Sequence, residues 1–282
     1  MARTVAQGFD EFLSRMTPTP TQFSAASRHR AAVEARLDAV FGVYRSFETG
    51  SLRHGTGVRG HSDADYVFSL RNTRPSSDTA LRRVREELQA RFLTTRIFVS
   101  RPAVVCEFAD GLETIEVVPA YFASSDSYDI PAPGGDWLRS APQEHLEYVN
   151  ECDHKHPGKA KGLARLMKAW KYLNDVPISS FYLEMRAAQH VKNQSVVIYL
   201  WDLCWLLESL AEHELAGMND PRNVSGRIYA CSSDAKRAEA LSKIRTAASR
   251  ARRALEADRS GDPGKAFQFL DLLFNGRFPG RW

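Results

Sequence analysis

Apolar residues recur at helical spacing over 20–46, where Ala31, Ala32, Ala35, Leu37, Val40, Phe41 and Val43 share a face and Thr21 stands as a cap. Gly50, in SFETGS, stops that helix. The run DADYVFSL (63–70) is short and rich in strand formers, whereas Leu81, Val84, Leu88 and Phe92 predict a second helix over 77–94. Two apolar runs follow, AVVCEF (103–108) and ETIEVVPA (113–120), and the Asp110-Gly111 pair between them predicts an antiparallel hairpin. Helix, strand, helix and hairpin make an α+β amino-terminal lobe. From 141 onward the pattern is helical, with segments near 142–153, 159–173, 180–191, 194–213, 232–257 and 264–274. The Pro/Gly-rich stretch SSDSYDIPAPGGDW (124–137) reads as the boundary, giving a lobe of 1–140 and a helical lobe of 141–282.

Composition adds little but excludes much. With 43% hydrophobic and 26% charged residues the chain is of the soluble globular class, and 282 residues suffice for two domains. A net charge of +4 suits anionic ligands and is too small to demand a long nucleic acid. MARTVAQGFDEFLSRM lacks the apolar core of a signal peptide, and SVVIYLWDLCWLLESL (195–210) carries Asp202 and Glu208, so it reads as a buried helix and not a membrane span. The expected compartment is the cytoplasm, which the four scattered cysteines (106, 152, 204, 231) also suit. Cys152, His154 and His156 form a C-x-H-x-H cluster that matches no common zinc spacing, so exposed loop residues are the default reading there. The basic helix 235–259 reads as a solvated face.

The chemistry concentrates in GSLRHGTGVRGHSDADY (50–66). On a strand, residues two apart point the same way, so Asp63 and Asp65 present two carboxylates together while Ala64 turns to the core. A third acid, Glu116, interrupts the apolar run Ile115-Glu-Val-Val-Pro119, where an acid is costly unless paired or bound to a cation. Three such acids argue for a hard divalent ion, Mg²⁺ or Mn²⁺. Gly50 and Ser51 supply a tight turn whose backbone N–H groups suit phosphate oxygens. A phosphate cradle beside metal-binding acids points to a nucleoside triphosphate. The loop's Arg53 and Arg59 stay open between phosphate and solvent, and its His54 and His61 read as solvated.

A Gly-Ser, about a dozen residues, a [DE]-x-[DE] strand and a third acid on a neighbouring strand resemble the DNA polymerase β-like nucleotidyltransferases. More narrowly, FDEFLSRM, GSLRHGT, SDADYVFSL, IEVVPAY, GLARLMKAWKYLN and SSFYLE fall in the order of the bacterial CD-NTases. These are the cGAS/DncV-like enzymes, carrying a SMODS domain, of CBASS antiphage operons. The resemblance covers most of 8–225 and implies a mixed-sheet nucleotidyltransferase core followed by a helical lobe that completes the nucleotide pocket.

Carried onto this sequence, the resemblance makes Asp63, Asp65 and Glu116 the catalytic metal triad, with Glu116 standing where close relatives usually carry Asp. Gly50 and Ser51 become the triphosphate turn. Lys168 in RLMKAWK and Ser180 in SSFYLE become contacts of the same triphosphate, and Glu184 either caps or braces its helix. The implied activity joins nucleoside triphosphates, ATP among them, into a cyclic di- or oligonucleotide second messenger with loss of pyrophosphate. The product would be read by a downstream effector, with neither membrane nor nucleic acid required. The alternative is a relative that adds nucleotides to an RNA end, a protein or a small-molecule acceptor. A silent nucleotide-binding module is disfavoured by the intact acids.

Overall fold

The computed structural model describes residues 3–108, 113–124 and 127–282, with the backbone alone for 20–28. The expected turn at Asp110-Gly111 and the side chain of the expected cap Thr21 lie outside the described residues. The chain runs α1 (Val5–Met16), α2 (Pro20–Phe41), β1 (Val43–Thr49), α3 (Gly50–Arg53), β2 (Ala64–Leu70), α4 (Ser77–Arg91) and β3 (Arg96–Ser100). It continues through β4 (Ala103–Phe108), β5 (Glu113–Ser124), β6 (Ser127–Pro131), β7 (Trp137–Ser140) and α5 (Pro142–His154). The remainder is α6 (Lys159–Leu173), α7 (Ser180–Lys192), α8 (Tyr199–Glu212), β8 (Met218–Asn219), β9 (Arg227–Ile228), α9 (Asp234–Arg259) and α10 (Pro263–Leu273).

Two compact units form. A sheet unit takes Pro18–Glu147 and Asp220–Gly226; a helical unit takes Met1–Thr17, Tyr148–Asn219 and Arg227–Trp282. The short Asp220–Gly226 segment is held to the sheet unit by the buried Asp220 carboxylate, which accepts from His145 Nε2 at 3.0 Å and from the N–H groups of Arg222, Val224 and Ser225.

The sheet orders β1-β2-β5-β4-β3, with β6 and β7 continuing from β5. β2 and β5 are parallel; β1–β2, β4–β5 and β3–β4 are antiparallel. The even residues of β2 (Ala64, Tyr66, Phe68, Leu70) and the odd residues of β5 (Ile115, Val117, Tyr121) meet Val33, Leu37 and Phe41 of α2 and Leu81, Val84 and Leu88 of α4 in one core. The opposite face carries a smaller cluster of Phe47, Val67, Ala103, Val118, Ala120 and Tyr128. This alternation decides which face receives the acids.

The expected helix over 20–46 ends early. Gly42 takes a left-handed φ of +67°, its N–H caps back to the Asp38 carbonyl at 2.9 Å, and Val43–Thr49 becomes a strand against β2. The expected loop over 124–137 holds β6 and opens β7, because the chain after β5 folds back and pairs with it. The hydrophobic run at 195–210 is the helix α8 from Tyr199, with Ile198 N–H donating to the buried Asp202 carboxylate at 2.6 Å. Within the described residues no helix is long and apolar enough to cross a membrane. α9 buries a stripe of Ala240, Ile244, Ala247, Ala251, Ala254 and Leu255 and leaves its basic face outward.

Candidate active site

Asp65 is the second residue of β2, paired in register with Thr49 on β1 and with Glu116 on β5. It falls in the odd set of β2, and Glu116 in the even set of β5, so both occupy the sheet face that α2 and α4 leave uncovered. Ala64 is buried in the core, as its position between two acids required. Asp63 immediately precedes the strand, at the same sheet end.

Gly50 closes the other side. Its φ is +70°, and a Cβ built there would lie 1.7 Å from Asp65 Oδ2, so both backbone and contact exclude any larger residue. The Gly50-Ser51 turn opens α3, and Ser51 Oγ donates to Ser62 Oγ at 3.0 Å, which in turn accepts from Val58 N–H at 2.8 Å. The Ser51 carbonyl accepts from Thr56 N–H at 2.9 Å. These bonds fold the glycine-rich loop back on itself. His54 is buried within that loop, against the expectation of a solvated residue, because the loop closes over it. His61, Arg53 and Arg59 are exposed.

Burial and like charge act together here. The Asp63 carboxyl is pushed up to about 6 by burial first, then by Glu116 and then by Glu107. Glu107 lies on β4, paired with Thr114 and two residues along the strand from Val105, which opposes Glu116. It therefore shares the acids' face, and it also meets Arg96 at 2.9 Å. The criterion that singled out Glu116, an acid inside an apolar strand, applies equally to Glu107 in AVVCEF.

The donor set suits a hard divalent cation: oxygen ligands alone, half-buried, with one carboxyl already destabilised as an anion by its neighbours. Among the described residues, however, no three His, Cys, Asp or Glu side chains stand together in metal-holding geometry. The three acids share a sheet end without closing on one point, as mutually repelling carboxylates do. That statement covers Cys152, His154 and His156 as well. Cys152 is buried on α5, not in an exposed loop, and His156 Nε2 lies 3.1 Å from the Gln194 carbonyl oxygen.

Lys168 and Ser180 belong to the helical unit, on the packed pair α6 and α7. Lys168 is not a solvated helix lysine: it is 1% exposed and its ammonium bonds to the equally buried Glu184 carboxylate of α7. Glu184 is thus a brace and not a cap. Ser180 is the first residue of α7, after the cap Ser179, and its Oγ accepts from Lys171 Nζ at 2.6 Å and lies 3.1 Å from Tyr172 OH. Sequence spacing pointed to neither Lys171 nor Tyr172. The only local signal was the second lysine of KAWK.

Residues 3–153, more than half of the 282-residue chain, match the profile of the Second Messenger Oligonucleotide or Dinucleotide Synthetase (SMODS) domain. The chain belongs to that family. A relative from Bacillus cereus (strain VD146), named Probable cyclic nucleotide synthase IK1_05630, is 25% identical over 123 residues, which are 40% of this chain and 36% of the relative's length. Among solved structures, CdnC of E. coli MS115-1 with ATP superposes with a TM-score of 0.78 at 15% identity, covering 97% of this chain and 98% of that one. CdnG of Bradyrhizobium diazoefficiens with GTP gives 0.73 at 11% identity over 96% and 98%. DncV of Vibrio cholerae with the linear intermediate 5′ pppA(3′,5′)pG gives 0.67 at 13% identity over 98% and 88%. At these identities the likeness is one of fold, a mixed sheet accompanied by helices.

Proposed function

We propose that the protein is a metal-dependent nucleotidyltransferase that joins nucleoside triphosphates into a cyclic di- or oligonucleotide second messenger, releasing pyrophosphate, in antiphage defence. The observation that carries this reading is the meeting of Asp65, Glu116 and Gly50 at one sheet end within a SMODS chain. ATP and GTP are the nucleotides named with the solved relatives, and a linear pppApG intermediate is named with one of them.

In this reading Asp63, Asp65 and Glu116 hold Mg²⁺ or Mn²⁺, and the ion supplies charge neutralisation at the α-phosphate and acidification of the acceptor hydroxyl. The chain's own contribution is positional. Gly50 lets the backbone pass beside the Asp65 carboxylate without a side chain, so that a phosphate can approach the turn at Gly50 and Ser51. The resemblance also assigns Lys168 and Ser180 of α6 and α7 to the triphosphate; Ser180 lies beside the Lys171 ammonium, whereas the Lys168 charge is already met by Glu184. A linear intermediate retained beside these groups meets its own hydroxyl at high effective concentration, which favours ring closure over release. The cytoplasm is the proposed compartment and a product-binding effector the proposed partner.

The test is incubation with all four triphosphates and Mg²⁺ or Mn²⁺, followed by phosphatase and mass spectrometry. Phosphatase-resistant cyclic products support the reading. Linear products alone, or dependence on added RNA, place the enzyme with the end-adding transferases instead.

A further inference from the structure

The sheet unit carries a second concave place, at the end of β2 away from the acids. β2 lies between β1 and β5 and stops at Leu70, opposite Val43 at the start of β1. β5 runs on from Ala120, the partner of Ser69, to Ser124. With no strand between them past Leu70, β1 and β5 leave a cavity of about 550 Å³, lined by Ser69 and Leu70 where β2 ends. That volume is in the range of small-molecule sites. Ser69 stands about 13 Å along the strand from Asp65 at the usual rise per residue, so the two places are separate.

Ser69 is fully buried, and its hydroxyl has no hydrogen-bond partner among the described residues. A hydroxyl taken out of water and left unpaired is costly. Two large rings stand open beside it. Tyr44 occupies the bulge where the β1–β2 register shifts, and Phe122 adjoins the shift between β5 and β6; they are 63% and 54% exposed, with ring centres 6.0 Å apart. The rim is positive. Arg74 and Arg139 share the one carboxylate of Asp129, which leaves a positive charge over. Arg71 has no carboxylate partner among the described residues, and its guanidinium lies 5.8 Å from the centre of the Tyr44 ring. No acidic side chain lines the cavity.

We propose that this cavity is a second nucleotide site that takes a nucleoside monophosphate, with the base stacked on Tyr44 and Phe122, the phosphate on Arg71 and a polar edge of the ligand on the Ser69 hydroxyl. A base supplies the flat face that open aromatic rings lack, and a guanidinium recognises a phosphate through two parallel hydrogen bonds. Phosphate alone would leave the rings and most of the volume unused. An apolar ring alone would leave Arg71 and Ser69 unmet. The site is independent of the reaction at the acids.

The probe is AMP, with GMP, CMP and UMP beside it, bound to the whole chain in EDTA and followed by calorimetry, with melting temperature measured in parallel. At least one of the four should bind with a Kd below about 1 mM. Arg71→Gln should weaken that binding about ten- to a hundred-fold, the range for hydrogen bonds to a charged group. Tyr44→Ala combined with Phe122→Ala should weaken it about five-fold or more. These three positions are exposed, so the melting temperature should stay within about 2 °C. Ser69→Ala should weaken binding about three- to ten-fold while leaving the melting temperature equal or higher, because it removes an unpaired hydroxyl. Asp63→Asn with Asp65→Asn should bind within about two-fold of the unaltered protein, and inorganic phosphate about ten-fold or more weakly than the nucleotide. The proposal is overturned if none of the four binds at about 1 mM, if the Arg71 and double aromatic variants bind like the unaltered protein, or if phosphate binds as tightly as the nucleotide. Loss of binding in the Asp63 and Asp65 variant, with Arg71→Gln unaffected, would return the ligand to the acids and overturn it equally.

Discussion

At the β2–β5 end of the sheet, Asp63 is raised as an acid by burial and by Glu116 and Glu107, whereas on α6 Lys168 is buried with its charge met in full by Glu184. Both places take ionised groups out of water. The sheet end sets Asp63 against like charges, and the helix pair cancels opposite ones, so a cation would relieve the first while the second is complete as folded. Lys171, one turn along α6, follows the sheet end with the sign reversed, its pKa lowered by burial and by the Lys168 charge. The difference teaches that charge left uncompensated inside a stable fold marks where a ligand completes it, while compensated charge marks architecture.

The comparison breaks most visibly at the acids. Asp63→Asn with Asp65→Asn should reduce turnover roughly a thousand-fold or more, as loss of electrostatic stabilisation at a reacting phosphate does. Asp63→Asn alone, in the absence of metal, should raise the melting temperature by roughly 2–4 °C because it removes a repelled, half-buried carboxylate. Near-normal turnover in the double variant, measured as pyrophosphate release, would show that these acids hold nothing the reaction needs.

At the compensated pair the expected effect is on stability. Lys168→Met leaves Glu184 buried without its counter-charge and should cost about 3–5 kcal/mol in chemical denaturation. Lys168→Met combined with Glu184→Met should recover most of that loss. A single variant as stable as the double would mean that the pair contributes no architecture.

Gly50→Ala tests the junction between turn and acid. The left-handed φ alone should cost about 1–2 kcal/mol, and the built Cβ displaces the Asp65 carboxylate, so turnover should fall further than stability. Equal losses in the two would remove Gly50 from any role beyond the turn.

The narrowest effect, confined to one pH window, is a pH dependence. The Lys171 pKa is near 8 in the folded chain and 10.5 when unperturbed, so between these values the unfolded state binds more protons and stability rises with pH. The difference in unfolding free energy between the unaltered protein and Lys171→Met should therefore shrink from pH 8 to 10.5. A constant difference across that window would place the ammonium in water.

Much of this was legible before any coordinates. Period alone placed helices near 142–153, 159–173, 180–191 and 232–257, within two residues of those found, and the Asp63-Ala64-Asp65 alternation already assigned Ala64 to the core. Glu116 announced itself as an acid in an apolar run, and Gly50 as the glycine of a tight Gly-Ser turn. The errors have one cause. Val43–Thr49 continues the apolar spacing of α2, and only pairing with β2 makes it a strand; β6 and β7 hide in a Pro/Gly-rich segment that only β5 organises.

The sequence by itself determined the local periodicities, the glycine that the turn at 50 demands and the spacing of two carboxylates on one strand face, because each of these depends on residues a few positions apart. Tertiary structure alone decided that Glu107 joins the acids' face, that Glu184 silences Lys168 and that Lys171 reaches Ser180. Those outcomes rest on contacts between residues 9 to 44 positions apart, where burial and the presence or absence of a counter-charge are set by which elements pack together.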